Sequence, residues 1–187
     1  LDLHALAPEN YRLGQVSAVC GEAAFQYIVK AIDYAMAGRV AGVVTAPINK
    51  EALHLAGHLY SGHTEIFADY THTPHYAMLL MSGRLRVIHC TTHVSMRKAC
   101  DLITRERVGE IIWLADQAMR MMGLEHYTIG VAGLNAHCSE NGLVGMEEAE
   151  AISPAIQDAQ ARGIPVEGPI PPDTVFVKAL AGQYDVV

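Results

Sequence analysis

Short apolar runs alternate along this chain with longer stretches whose apolar residues recur at helical spacing, and glycines stand at the joins. That alternation demands strands and helices in turn, the pattern of an α/β sandwich around a mixed, mainly parallel sheet. The strongest helix opens at Thr104. Val108, Ile111, Ile112, Ala115, Met119 and Met122 form one stripe along it, and Gly123 stops it. The methionines there are core filling. Residues 21–37 carry Ala24, Phe25, Ile28, Ile32 and Ala35 at the same spacing, with Gly38 as the stop. Further helices are predicted over 49–56, 64–70 and 146–162. Strands are predicted over 40–44, 76–81, 85–90 and 127–132, the middle two joined by a turn at Ser82-Gly83. Pro-rich Gly168-Pro-Ile-Pro-Pro172 reads as a rigid connection, and Tyr184-Asp-Val-Val187 as a strand beginning.

Composition narrows the function. With 51% hydrophobic and 18% charged residues, the chain has the apolar mass for a real core. A net charge of -7 argues against a nucleic-acid or anionic-membrane surface, which needs a basic face. It leaves room for a phosphorylated small molecule, because a few local cations and backbone N–H groups can hold one phosphate. Cys20, Cys90, Cys100 and Cys138 show no CxxC spacing, as expected of free thiols in a reducing cytoplasm. No apolar run reaches the roughly 20 residues of a membrane-spanning helix. No GxGxxG or Walker A motif is present, so a nicotinamide cofactor would not be held by the usual Rossmann fingerprint.

The chemistry gathers in a few places. Thr45-Ala-Pro-Ile-Asn-Lys50 is followed by Ser61-Gly-His-Thr-Glu65, which sets His63 and Thr64 at a helix start. A helix N-terminus offers free backbone N–H groups to an anion. The plainer role for Ser61 or Thr64 is simply to cap that helix. His93 follows the strand ending Cys90-Thr-Thr92, and His137 lies in the Gly133-Leu-Asn-Ala-His137 loop after another strand. Either histidine can do no more than close a strand. Together they can also converge on one divalent ion, since neutral imidazole is a common metal ligand. In α/β folds ligands collect at the carboxyl ends of strands. His54 and His58 have zincin-like spacing, but Leu55 stands where the general-base Glu would be needed, and both read as structural or surface residues.

Thr45-Ala-Pro-Ile-Asn-Lys50, Gly62-His-Thr-Glu65, Thr91-Thr-His93, Gly133-Leu-Asn-Ala-His137 and Gly168-Pro-Ile-Pro-Pro-Asp-Thr174 occur in the order of a known family. The chain resembles the 4-hydroxythreonine-4-phosphate dehydrogenases, including their D-threonate 4-phosphate dehydrogenase branch. The resemblance implies an isocitrate/isopropylmalate-dehydrogenase-like fold and a cytoplasmic homodimer with active sites shared between subunits. It implies NAD-dependent oxidation, with NADP left open, of a secondary alcohol on a phosphorylated hydroxy acid. The first expected substrate is 4-phosphohydroxy-L-threonine, which after decarboxylation gives 3-amino-2-oxopropyl phosphate for pyridoxal phosphate synthesis. The alternative is 4-phospho-D-threonate in sugar-acid catabolism. Carried over motif by motif, His63 and Thr64 bind substrate, and His93 and His137 bind a divalent metal (Zn, Mg or Co).

The family's third metal histidine lies in a Tyr-His-Asp-Gln-Gly segment that would follow Val187. Residues 1–187 are therefore expected to be the central part of a longer two-lobed dehydrogenase, truncated at both ends and by themselves weak in metal binding and inactive. The family's loop reads Asn-Pro-His-Ala-Gly; here it is Asn135-Ala-His-Cys-Ser139, so Ser139 would have to take a backbone angle that glycine takes easily. Readings of another class are a metal-dependent phosphate-ester hydrolase and a non-catalytic binding module. The hydrolase lacks the Asp/Glu cluster of a two-metal site.

Overall fold

A computed structural model describes residues 2–187. They form two compact units, the chain up to Tyr76 and Ala77–Val187.

The first unit is helical. Helix α1 (Ala18–Met36) starts where the Ser17 side chain accepts from the Cys20 amide, and it ends in a left-handed Gly38. There the Arg39 N–H reaches back to the Tyr34 carbonyl, which satisfies an otherwise orphaned acceptor. Helix α2 (Lys50–Leu55) is capped by Asn49, whose side chain accepts from Ala52 N at 2.9 Å. Helix α3 (His63–Tyr70) follows. Phe25, Ile28 and Ile32 of α1 pack on Leu53 and Ile66, both wholly buried. Gly21 is what lets α1 approach α2: a Cβ there would sit 1.9 Å from the Ala52 carbonyl oxygen. His58 stacks on Phe25 with ring centroids 3.6 Å apart and pairs with Glu22 at 2.7 Å, and the His54 ring bonds the Tyr60 carbonyl. Both are structural histidines.

Residues 40–44, predicted as a buried strand, are not one. They run without regular structure, and Val44 is 100% exposed. A strand exists only where a neighbour completes its ladder of hydrogen bonds, and α1, α2 and α3 offer none.

The second unit holds the sheet. Strands β1 (Leu79–Ser82) and β2 (Leu85–Ile88) form an antiparallel hairpin across Gly83-Arg84. Helices α4 (Met96–Leu102) and α5 (Arg105–Met121) follow, then β3 (Ile129–Ala132), α6 (Ser153–Ala161), β4 (Val166–Ile170) and α7 (Pro172–Leu180). Strand β4 pairs parallel to β3. The last residues join the two ribbons: Val186 bridges Ile129 in parallel. Val187 donates to Arg86 O at 2.9 Å and accepts from Ile88 N at 2.8 Å, the flanking pattern of a parallel ladder. The spatial order is thus β4, β3, residues 185–187, β2, β1, with only β1 antiparallel.

Side chains of β3 alternate between two cores. Ile129 joins Ile112, Ala115 and Met119 of α5 and Ile156 of α6, with Val131 packed against the same cluster. Ala132 lies with Val175 and Ala179 of α7, and a Cβ on Gly130 would strike the Tyr184 ring. Helices therefore cover both faces of a mixed, mainly parallel sheet, as the alternation of the sequence required.

Two predicted segments differ in detail. The helix predicted over 146–162 is broken into a π-turn (Glu148–Ile152) and α6. Pro154 has no N–H to give the Glu150 carbonyl and its ring would collide with it, so regular α-geometry cannot run through this point. The Pro-rich connection instead holds the end of β4, in which Pro169 is tolerated because, among the described residues, β4 pairs on one side only. Pro172 then opens α7, where a missing N–H costs nothing.

Candidate functional site

In the first unit the Thr45 turn and His63 come together. A cleft of about 290 Å³ is lined by Ala24, Tyr27 and Ile28 of α1, by residues 43–48 and by His63. Gly62 precedes α3 in extended conformation and no side chain caps the helix, so Ser61 and Thr64 do not take the capping role open to them. The first N–H groups of α3 are left for another acceptor. His63 Nε2 and Glu65 Oε2 are buried without a partner. Burial pushes the His63 imidazole below its ordinary pKa, which keeps it neutral near pH 7. Lys50 is exposed at the start of α2 and does not line the cleft.

In the second unit His93 and His137 each lie just beyond a strand, β2 and β3. The two strands run the same way, so both loops emerge at one edge of the sheet. Residues 185–187 lie between them, which sets the strand ends about 10 Å apart, twice the interstrand spacing. Both histidines are exposed and both take left-handed backbone, with φ of 56° at His93 and 50° at His137. Neither ring makes a hydrogen bond or ion pair within the described residues, unlike His54 and His58. A second, mostly apolar cleft of about 290 Å³ opens at this edge and is lined by Cys90, Thr91, Gly133 and Leu134, where the two loops begin.

Exposed imidazoles are donors of the kind that divalent ions such as zinc take. His93 and His137, on one sheet edge, could supply two such donors and would leave most of a coordination shell open. Among the described residues no group of three or more His, Cys, Asp or Glu side chains forms a closed metal cluster.

The His137 loop has a feature that sequence reading missed. His137, Cys138, Ser139, Glu140 and Asn141 all have positive φ, and Gly142 continues the run at 93°. Left-handed backbone costs roughly 1–2 kcal/mol at each ordinary L-residue, so such a run needs support. Glu148 supplies it from the π-turn. One carboxylate oxygen accepts from Leu134 N at 2.8 Å and Asn135 N at 2.7 Å. The other accepts from Asn135 Nδ2 at 3.0 Å and from the Ser139 hydroxyl. Glu148 is only 4% exposed. Burial alone would raise its pKa, but the hydrogen bonds from Asn135 and Ser139 overcome that and hold it down at about 2. The only sequence signal for this role was the Ser139 departure, which marks a backbone angle in need of an anchor but does not say where the anchor lies.

Helices on both faces of a mainly parallel sheet, with ligand-type residues at the strands' carboxyl ends, define the isocitrate/isopropylmalate-dehydrogenase-like α/β class. The sequence profile described as "Pyridoxal phosphate biosynthetic protein PdxA" matches residues 1–187, and the chain belongs to that family. It is 48% identical over 180 residues to the D-threonate 4-phosphate dehydrogenase of Pectobacterium atrosepticum, covering 96% of this chain and 55% of that protein. The D-threonate 4-phosphate dehydrogenase of Salmonella typhimurium matches with the same identity and coverage, 48%, 96% and 55%. Among solved structures, a 4-hydroxythreonine-4-phosphate dehydrogenase from Klebsiella pneumoniae superposes with a TM-score of 0.89 at 47% identity, over 96% of this chain and 55% of that one. A terephthalate 1,2-cis-dihydrodioldehydrogenase from Burkholderia xenovorans LB400 has a TM-score of 0.70 at 28% identity, over 100% of this chain and 59% of that one. The chain spans about half the length of the curated relatives it matches.

Proposed function

We propose that this chain is part of an NAD-dependent dehydrogenase that oxidises the secondary alcohol of a 4-phosphorylated hydroxy acid with the help of a divalent metal. The observation that carries the proposal is the pair of unpartnered histidines, His93 and His137, at one edge of the parallel sheet. Both act as metal ligands, and a third protein ligand together with substrate oxygens completes the shell. A bound divalent ion supplies Lewis-acid polarisation of a substrate oxygen, and the nicotinamide takes up the hydride.

His63 and Thr64 bind substrate. The uncapped N-terminus of α3 presents N–H groups to an anionic substrate group. His63, kept neutral by burial, adds one hydrogen bond without a competing charge. The apolar walls of the cleft, Ala24, Ile28 and Val43, limit water around that contact.

Sequence reading placed 4-phosphohydroxy-L-threonine first. The relatives at 48% identity are D-threonate 4-phosphate dehydrogenases, and this favours 4-phospho-D-threonate as the substrate. A homodimer with shared active sites and a cytoplasmic location belong to the same proposal. Among the described residues no helix is long and apolar enough to cross a membrane.

The test is NADH formation by the protein at its full natural length, with Co²⁺ or Mg²⁺ added and both phosphorylated acids offered separately. Turnover of 4-phospho-D-threonate is the expected result. Turnover of 4-phosphohydroxy-L-threonine alone would move the protein to the vitamin branch. Phosphate release without NADH would replace the dehydrogenase reading by the hydrolase one. Substituting His93 or His137 by Ala is expected to lower Co²⁺ affinity by at least the roughly 10- to 100-fold that loss of a supporting residue costs.

A further inference from the structure

We propose that Glu148 is the positioning residue of the His137 loop: its buried carboxylate clamps both limbs of a left-handed turn and so fixes where the His137 imidazole stands. The inference rests on the reading of His137 as a metal ligand only for its consequence, not for the clamp itself.

The geometry is specific. The entering limb, Leu134-Asn135, is held by its two backbone N–H groups, at 2.8 and 2.7 Å from one Glu148 oxygen. The leaving limb is held through the Ser139 hydroxyl on the other oxygen. His137 lies between these two anchors, and its own ring is engaged by neither. The Ser139 carbonyl then closes the turn by accepting from Gly142 N at 2.9 Å and Leu143 N at 2.8 Å. Asn135 Nδ2 ties the same two limbs a second time, reaching Ser139 Oγ at 3.2 Å and Glu147 Oε2 at 2.8 Å. The floor of the clamp needs a glycine, since a Cβ on Gly133 would lie 2.7 Å from Cys138 Sγ and 3.2 Å from Glu148 Oε1.

In Glu148→Gln the amide oxygen can still accept from Leu134 N and Asn135 N, but the NH2 that replaces the other oxygen cannot accept from the Ser139 hydroxyl or from Asn135 Nδ2, so the leaving limb loses its anchor. The bonds left to hold the left-handed run, such as those to the Ser139 carbonyl and the one from Asn135 Nδ2 to Ser139 Oγ, do not tie it to the π-turn. His137 would still be present but no longer held at the sheet edge. Glu148 touches neither the imidazole nor any ligand of it, so it acts through the loop.

The experiment uses the full-length protein with Glu148→Gln, which keeps side-chain volume, and the same change combined with Glu140→Gly. Glu140 is exposed and left-handed, so glycine there relieves the turn without touching the clamp. Amide hydrogen exchange at residues 134–142 is read first. It is expected to rise about tenfold or more in Glu148→Gln, with α5 and α7 unchanged. Wild-type exchange in that loop overturns the proposal. Co²⁺ affinity is read second, with His137→Ala as reference. It should fall by roughly 10- to 100-fold in Glu148→Gln and recover in part when Glu140→Gly is added. Affinity that falls in His137→Ala but not in Glu148→Gln overturns the positioning role. Affinity unchanged even in His137→Ala removes the metal reading instead, and the exchange result alone then decides the clamp.

Discussion

At the scale of single residues, buried acids make the strongest commitments in this chain. Glu148, with its pKa held at about 2, is ionised in the folded protein at any ordinary pH. Its ordinary value is 4.5, so the folded-state pKa is depressed, and the stability it contributes is present above pH 4.5 and drains away toward pH 2. The linkage amounts to on the order of 3 kcal/mol. Urea unfolding followed from pH 5.5 downward should show wild type losing stability faster than Glu148→Gln; parallel curves would show that the carboxylate is not held as described. Asp116 adds to the same slope. Burial would raise its pKa, but bonds from Arg120 and Tyr127 outweigh that and lower it. Histidines illustrate how much a sequence could say at this scale. His54 and His58 were readable as structural because the intervening pattern lacked a catalytic acid. The positions of His93 and His137 beyond strands were readable because each follows a short apolar run. Glu148 was not readable, since its role depends on a fold-back from residue 148 to residues 134–139 that no local pattern encodes.

At the scale of elements, most boundaries follow from signals in the chain. Thr104 caps α5 through its side-chain oxygen on Arg107 N, and Gly123 ends the helix in left-handed backbone. Replacing Thr104 with Ala should lower stability by about 1 kcal/mol, measurable as a shift in thermal midpoint. Truncating Met119, which is wholly buried at the centre of the α5–α6 core, should cost about 2–5 kcal/mol in the same assay. The errors have physical causes as plain as the successes. Pro154 splits a helix whose apolar spacing looked continuous. Residues 40–44 have strand composition, yet composition does not make a ladder, and no partner strand stands beside them among the described residues. The 168–172 stretch, read as a rigid connection, holds the end of strand β4 and the start of α7, two places where proline is accepted.

At the scale of the whole molecule, the tail of the chain ties the second unit together. Among the described residues, 185–187 supply the backbone hydrogen bonds that link β2 to β3, and with them the loops of His93 and His137. Val187→Pro would remove the bond from Val187 N to Arg86 O. Hydrogen exchange should then accelerate about tenfold or more at Ile88 and Gly130, whose amides bond the terminal strand, while α5 stays protected; unchanged exchange would show that the two ribbons do not depend on it. The α/β class, the glycine stops and the placing of His93 and His137 just beyond strands were legible from periodicity and short motifs, because those depend on neighbours within a few positions. The strand order, the common edge shared by His93 and His137, the left-handed run at His137 and its anchor on Glu148 were not. Each of these arises from contacts between residues far apart along the chain, where the free energy of pairing and burial, not local propensity, selects the arrangement.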